Sequence, residues 1–274
     1  MRKIVKLALA GALAGLLMGS AAQAADGKKE AVKSPNADSP LDEVWSGYHF
    51  AKKETQALQD DEFDNPGNLW LEEGEALWSK VDGEAGKSCQ SCHKEAAKSM
   101  KGVATRYPVY FKPWKKLIDI EQRINLCRTE QMKAKKWKWK SKQLLAMATY
   151  VNAQSKGMPV NIKITAENKP FWEKGKAFYY KRRGQLDMSC AHCHEKYYGK
   201  HIRSNVLSQG QINGFPTYRL KWQKPGSVHR RFKGCNKQVR AKPFGFGSDE
   251  YNNLELYVKW RGNGLTIETP AVRN

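Results

Sequence analysis

Two pentapeptides carry the most reactive residue types in this chain: Cys89-Gln-Ser-Cys92-His93 and Cys190-Ala-His-Cys193-His194. Cys-x-x-Cys-His is the attachment signature of c-type haem, in which two thiols add to the vinyl groups and the adjacent histidine reaches the iron. A single copy could be a zinc or thiol-redox motif. Two copies in matching contexts point to two covalent haems, held by Cys89, Cys92, Cys190 and Cys193, with His93 and His194 as iron ligands. His192 lies inside the second motif, where attachment already commits His194, and reads as a bystander.

The second ligand of each iron is less obvious. Ordinary electron carriers often use Met, which raises the haem potential. No Met follows Cys193, and Met188 is tied too close to the attachment site to swing round a haem. His201, His229, Cys235, a Lys or water remain for the second iron. Cys127 follows the first motif and Cys235 the second, each with an arginine four residues earlier, Arg123 and Arg231. A Cys127–Cys235 disulfide is the alternative, natural in an oxidising compartment and contributing about 4–5 kcal/mol for so long a loop. Equivalent residues of two repeats would meet only at a shared pseudo-symmetry axis, so thiolate ligation at both irons is preferred. Thiolate donates electron density, which implies low potentials.

Arg230, Arg231, Lys233, Lys237, Arg240 and Lys242 crowd around Cys235. Guanidinium groups bind oxyanions through paired, charge-assisted hydrogen bonds, and a positive field keeps a thiol ionised. A nucleophilic thiolate, an oxyanion clamp and a two-electron acceptor suit oxidative sulfur–sulfur bond formation. Equally, these cations could face solvent or haem propionates.

The elements that position these residues repeat. Glu72 to Trp78 precedes Ser88-Cys89, and Glu173 to Tyr179 precedes Ser189-Cys190, every pair 101 residues apart and with apolar positions at helical spacing. Gly74 and Gly175 sit in mid-helix, which costs about 1 kcal/mol against Ala and marks a close helix crossing. Each copy ends in another helix, around Leu144 to Val151 and Leu254 to Arg261; the offset there is 107, so a small net insertion lies within the second copy. The expected fold is mainly α: two tandem class I cytochrome c-like domains related by internal duplication, 67–160 and 161–274. Residues 25–66, rich in Ala, Lys, Ser, Asp and Pro, read as a flexible arm.

Ahead of the arm, Arg2, Lys3 and Lys6, an apolar run from Leu7 to Met18 and Ala22-Gln23-Ala24 form a signal peptide, 1–24, cleaved before Ala25. The run is too short to span a bilayer, so the mature chain is expected in a bacterial periplasm without stable membrane insertion. The formal charge is +21, three of it from the signal. Lys133 to Lys142, with Trp137 and Trp139 between lysines, has the look of a nucleic-acid stripe. Export argues against nucleic acid and leaves a solvated helix face, or a field that steers anionic substrates and acidic partners.

Arg183-Gly-Gln-Leu-Asp-Met-Ser-Cys-Ala-His-Cys-His194, Ser208-Gln-Gly-Gln211, Tyr218-Arg-Leu-Lys-Trp-Gln223 and Cys235-Asn-Lys-Gln-Val-Arg-Ala241 resemble the dihaem SoxA family. So do Leu254-Glu-Leu-Tyr-Val258, Gly264 to Arg273 and, in the first copy, Tyr150 to Pro159. The resemblance covers roughly 67–274 and is most specific in the second half. It implies the catalytic subunit of a periplasmic L-cysteine S-thiosulfotransferase, paired as a heterodimer with a SoxX-like monohaem cytochrome c. That enzyme joins thiosulfate to a cysteine of a SoxYZ-like carrier and passes two electrons to cytochrome c. By position, the first haem would lie between His93 and Cys127, and the second between His194 and Cys235. Cys235 would also be the active-site cysteine and Arg231 the substrate-binding arginine; Arg261 is a weaker candidate for the same site. Two other functions stay in play: a thiosulfate dehydrogenase forming tetrathionate, which can likewise use a Cys-ligated haem but is disfavoured by the second-half motifs, and a non-enzymatic dihaem carrier, disfavoured by the Arg-flanked Cys235 and the lack of Met beyond Cys193.

Overall fold

The computed structural model describes residues 31–274. The expected signal peptide lies outside the described residues. A two-stranded hairpin, β1 (Val32–Lys33) with β2 (Glu43–Val44), leads to helix α1 (Lys53–Asp60). The first haem-motif half follows: α2 (Asn68–Ser79), α3 (Cys89–His93), α4 (Ala96–Ser99), the hairpin β3 (Val109–Phe111) and β4 (Lys116–Ile118), α5 (Ile120–Glu130) and α6 (Lys142–Ala153). The second half runs through α7 (Lys169–Tyr180), a π-helical turn at His192–Lys196, the small hairpin β5 (His201–Ile202) with β6 (Asn205–Val206), then β7 (Thr217–Arg219), β8 (Lys224–Gly226), α8 (Val228–Gln238), α9 (Asp249–Arg261) and β9 (Ala271–Arg273). β7 is central in its sheet, antiparallel to β8 and parallel to β9.

Each half is built on one helix crossing. α2 packs on α6, and α7 on α9. The mid-helix glycines sit at the crossings: a Cβ on Gly74 would lie 2.4 Å from Tyr150 Cβ, and one on Gly175 only 2.0 Å from the Asn253 carbonyl oxygen. The gain in close packing offsets the roughly 1 kcal/mol helix penalty of each glycine. Local sequence starts the helices that matter: Asp119 and Gln122 form a capping box at α5, while Ser141, Ser227 and Ser248 cap α6, α8 and α9.

The two halves share one apolar core, from Trp78 and Met147 through Leu117 to Tyr179, Leu254 and Tyr257. Backbone bonds also cross the join: Val160 N–H donates to Leu265 O at 2.8 Å, and Gly157 N–H to Ile267 O at 2.9 Å. The residues that lengthen the second half fall in the β5–β6 hairpin, between the second motif and β7.

Two expectations need correction. The segment expected as a flexible arm is, over 31–66, a strap bound to the second half. Val44 is fully buried; Asn36 Nδ2 donates to Trp260 O at 2.7 Å, Asn65 Nδ2 to Pro270 O at 3.0 Å, and Ser46 to Glu268. Its polar residues serve the backbone of another segment rather than solvent, which composition alone does not reveal. The Lys/Trp stretch is a loop, not a helix face. Asn125 pairs with Trp137's backbone through both amide groups, Arg128's guanidinium lies 3.7 Å from the Trp137 ring centroid, and Trp139 stacks on Phe246 and His229. Its tryptophans anchor the loop while its lysines stay in water.

Candidate haem and thiol site

Short helical turns present both attachment motifs. In the first half, Ser88 and Ser91 cap α3 reciprocally, so Cys89, Cys92 and His93 leave a rigid turn. His93 lies beside Trp78, ring centroids 5.8 Å apart. In the second half, Ser189 Oγ lies 2.7 Å from His192 Nδ1, so His192 serves the turn itself, and Cys193 and His194 ride on the π-helical segment. His194 Nδ1 is 2.7 Å from the Ser208 carbonyl oxygen. A carbonyl only accepts, so Nδ1 donates and fixes the ring, the usual preparation of a metal-binding histidine. Gly210, at φ +76°, lets the backbone lie against this ring; a Cβ there would come within 2.8 Å of it.

The six cysteines are all free and fall into two trios. Cys127, on α5, shares the field of Cys89 and Cys92; Cys235, on α8, shares that of Cys190 and Cys193. Cys127 and Cys235 thus belong to different clusters and form no disulfide. Arg123 hydrogen-bonds the Cys127 thiol, and His194 hydrogen-bonds Cys235. Two thiols for vinyl addition, a histidine oriented through Nδ1 and a further thiol against that histidine fit a c-type haem in the second half. The same residue types, with Arg123 on the extra thiol, recur in the first.

The two extra thiols differ in acidity. Burial pushes Cys127 up, and Arg123 only partly offsets it. Burial also pushes Cys235 up, but the charge of Arg231, the bond from His194 and the charge of Arg219 outweigh it, bringing the thiol down to about 6. Arg231 sits one helical turn before Cys235, on the same face of α8. Cys190, with burial dominant, is pushed up to about 12, and the charge of Arg261 offsets this only in part.

Other candidates lie elsewhere. His201 is exposed on the β5–β6 hairpin. His229 is buried at the join of the halves, with Nε2 3.0 Å from Glu255 and Nδ1 accepting from Gly247 N–H. Arg261 is fully buried, bonded to Gln209 O and Glu195 and 4.5 Å over Tyr179; its charge acts on Cys190 and is not among the leading influences on Cys235. Arg219 is the residue the sequence reading missed, although the quoted Tyr218-to-Gln223 stretch contains it. Lys221 and Arg203 stand nearby at the surface, their charges felt together with those of Arg219 and Arg231.

Attachment turns between crossing helices, each with a thiol brought to the motif from a later helix, define a mainly α c-type cytochrome. Residues 73–160 match the SoxA/TsdA cytochrome c domain, which carries covalent haem. Over 85% of the chain the sequence is 46% identical to the L-cysteine S-thiosulfotransferase subunit SoxA of Rhodovulum sulfidophilum and 48% identical to that of Pseudaminobacter salicylatoxidans, spanning 82% of each. The crystal structure of SoxXA from P. pantotrophus contains a chain that superposes with a TM-score of 0.83 at 44% identity, covering 86% of this chain and 89% of that one. The chain belongs to the SoxA family. Among the described residues, no helix is long and apolar enough to cross a membrane.

Proposed function

We propose that this chain is the catalytic, dihaem subunit of an L-cysteine S-thiosulfotransferase. The observation that carries the reading is the setting of the Cys235 thiol, one helical turn after Arg231 on α8, against His194 and in one trio with Cys190 and Cys193. Cys89/Cys92 and Cys190/Cys193 would attach two haems, with His93 and Cys127 offered to one iron and His194 and Cys235 to the other. The parallel order of elements in the two halves supports an internal duplication, 67–160 and 161–274. Maturation removes residues 1–24 and leaves the protein in the periplasm, paired with a SoxX-like monohaem cytochrome c.

Thiosulfate enters as a dianion and Arg231 binds its sulfonate end through charge-assisted hydrogen bonds. The Cys235 thiolate couples to the terminal sulfur, forming Cys–S–S–SO3⁻ and releasing two electrons. The haem supplies the route by which they pass to cytochrome c. A thiolate on the SoxYZ-like carrier then attacks the sulfur that bears the sulfonate, displacing Cys235 and leaving with R–S–S–SO3⁻. No bond within thiosulfate breaks, and Cys235 returns to its starting state.

The test is mass spectrometry of the carrier after incubation with the purified heterodimer, thiosulfate and ferricytochrome c. The expected product is one added thiosulfonate per carrier cysteine, from a subunit that retains two haems after acid–acetone extraction. Tetrathionate with an unmodified carrier would identify a thiosulfate dehydrogenase instead. Neither product would leave an electron carrier.

A further inference from the structure

The hairpins before α5 and α8 are the same device. β3 and β4 flank a 3-10 turn at Lys112–Trp114, and β7 and β8 flank one at Leu220–Trp222, each element 108 positions after its counterpart. In that register Cys127 corresponds to Cys235, Arg123 to Arg231 and Trp114 to Trp222. At two positions of that stretch the second half has an arginine where the first has none. Phe111 corresponds to Arg219, and Gln122 to Arg230.

The exchange at 111/219 changes what the thiol sees. In the first half the Arg123 guanidinium lies 5.6 Å from the Phe111 ring centroid, so an aromatic ring covers the arginine beside Cys127. In the second half that ring is absent and a second guanidinium stands in its place. Arg219 is 8% exposed, donates from Nε to Asn274 O at 2.5 Å and packs 5.0 Å from Trp222, a ring it shares with Arg230. Among the described residues no Asp or Glu side chain pairs with Arg219 or Arg231. Arg219 and Arg231 are like charges, buried and half-buried; the Cys235 thiolate offsets one of them, and a bound anion would relieve the other.

We propose that Arg219 is a substrate-binding residue, the second guanidinium of a two-arginine clamp that holds a sulfur oxyanion beside Cys235, and that Phe111 denies the first half the same ligand. Arg219 is pinned by Asn274 and Trp222 and needs little reordering when the anion arrives. Arg231, on α8, supplies the other paired donors. The clamp selects a doubly charged sulfonate-type head over a monoanion. This deepens the thiosulfotransferase reading and rests on it for the identity of the reacting thiol.

Sulfite is the probe, since it carries the oxyanion head without a sulfane sulfur to transfer. Its binding to the heterodimer is measured by calorimetry and by the perturbation of the second haem's visible spectrum, alongside steady-state kinetics with thiosulfate. Arg219→Gln is expected to weaken sulfite about ten- to a hundredfold and to raise KM for thiosulfate similarly, with kcat less affected. Arg219→Lys should recover only part, because a point charge lacks the fork of donors. Phe111→Arg should create a second, weaker sulfite site that perturbs the first haem. Haem stoichiometry and circular dichroism confirm that each variant is folded, and Arg219→Lys serves where Arg219→Gln is not. Wild-type sulfite affinity in either folded Arg219 variant overturns the proposal. A wild type that binds sulfite but leaves the carrier unmodified overturns the thiosulfotransferase reading while leaving the clamp intact.

Discussion

The two halves share a crossing-helix frame, a Cys-x-x-Cys-His turn, a hairpin with a 3-10 turn and a Cys–Arg pair one helical turn apart. They differ in what surrounds that pair. Cys127 has one arginine, itself covered by Phe111, and burial dominates and pushes its thiol up. Cys235 has Arg231, Arg219 and a hydrogen bond from His194, and the sum overcomes burial. One arginine only partly offsets the burial of Cys127, whereas two with a histidine outweigh that of Cys235. The same scaffold thus holds a thiol raised by its surroundings in one half and, in the other, the lowered thiol proposed as the nucleophile, and the difference lies in a handful of side chains rather than in backbone.

The largest expected contrast is between the two cysteines. Cys235→Met should keep a low-spin second haem yet abolish thiosulfate transfer, because a thioether ligates iron but has no ionisable sulfur for the covalent step. Cys127→Met should change only the first haem's signal in low-temperature EPR and leave transfer intact. Equal losses from both variants would erase the division of labour. Next comes the arginine pair. Arg231→Ala should lower kcat/KM for thiosulfate by roughly ten- to a hundredfold, about 1.5–3 kcal/mol for a lost charge-assisted contact, with unchanged haem spectra. Arg123→Ala should leave kcat/KM where it was. A comparable loss from Arg123 would mean that the first half handles substrate.

A smaller effect separates the site mouth from the rest of the basic surface. Lys221 and Arg203 are exposed beside the Cys235 site, whereas the lysines of 133–142 belong to a loop of the first half. Raising ionic strength should slow capture of thiosulfate and of an acidic partner, since the Debye length falls to about 3 Å at 1 M salt. Replacing Lys221 and Arg203 by Gln should remove much of that salt dependence for thiosulfate, and replacing the loop lysines should not. A dependence that follows the loop lysines instead would move the steering field to the first half.

Much of this was legible in the sequence because local chemistry carried it. The attachment motifs announce their own function, the 101-residue repeat located the helices, and Gly74 and Gly175 marked the crossings. What stayed hidden depends on long-range pairing. The strap over 31–66 looks like linker because its Asn, Ser and Gln residues bond to segments more than 200 positions away, as Asn36 does to Trp260. Trp137 and Trp139 suggested a stacking surface but are consumed by Arg128 and Phe246. Arg219 was passed over for a different reason. The helical motifs fixed offsets of 101 and 107, and only the hairpin register of 108 sets it opposite Phe111.

The smallest effect tests the join that makes the two halves one body. Asp119 caps α5 in the first half and lies against His229 and Glu255 of the second, with Glu121 and Lys259 buried close by. Burial raises Asp119 to about 7, against the pull of His229's charge, and burial also raises Glu121. Burial works the other way on His229, but Glu255 and Asp119 outweigh it and the net direction is up. All three groups hold their protons more tightly folded than unfolded. Their contribution is therefore complete below about pH 4 and is lost as pH rises through about 7. Lys259, lowered by burial to about 8, reverses the trend only at higher pH. Thermal stability should fall by a few degrees between pH 5 and 7, at roughly 2–4 °C for each kcal/mol in a chain of this size. Asp119→Asn keeps a good helix cap and removes one titration, so it should flatten that slope while leaving haem content and sulfur transfer unchanged. A Tm that rises from pH 5 to 7, or an Asp119→Asn variant with the wild-type slope, would show that the stability of the join is set elsewhere. Two separate thermal transitions would go further and show that the halves, alike in frame and different in chemistry, also unfold apart.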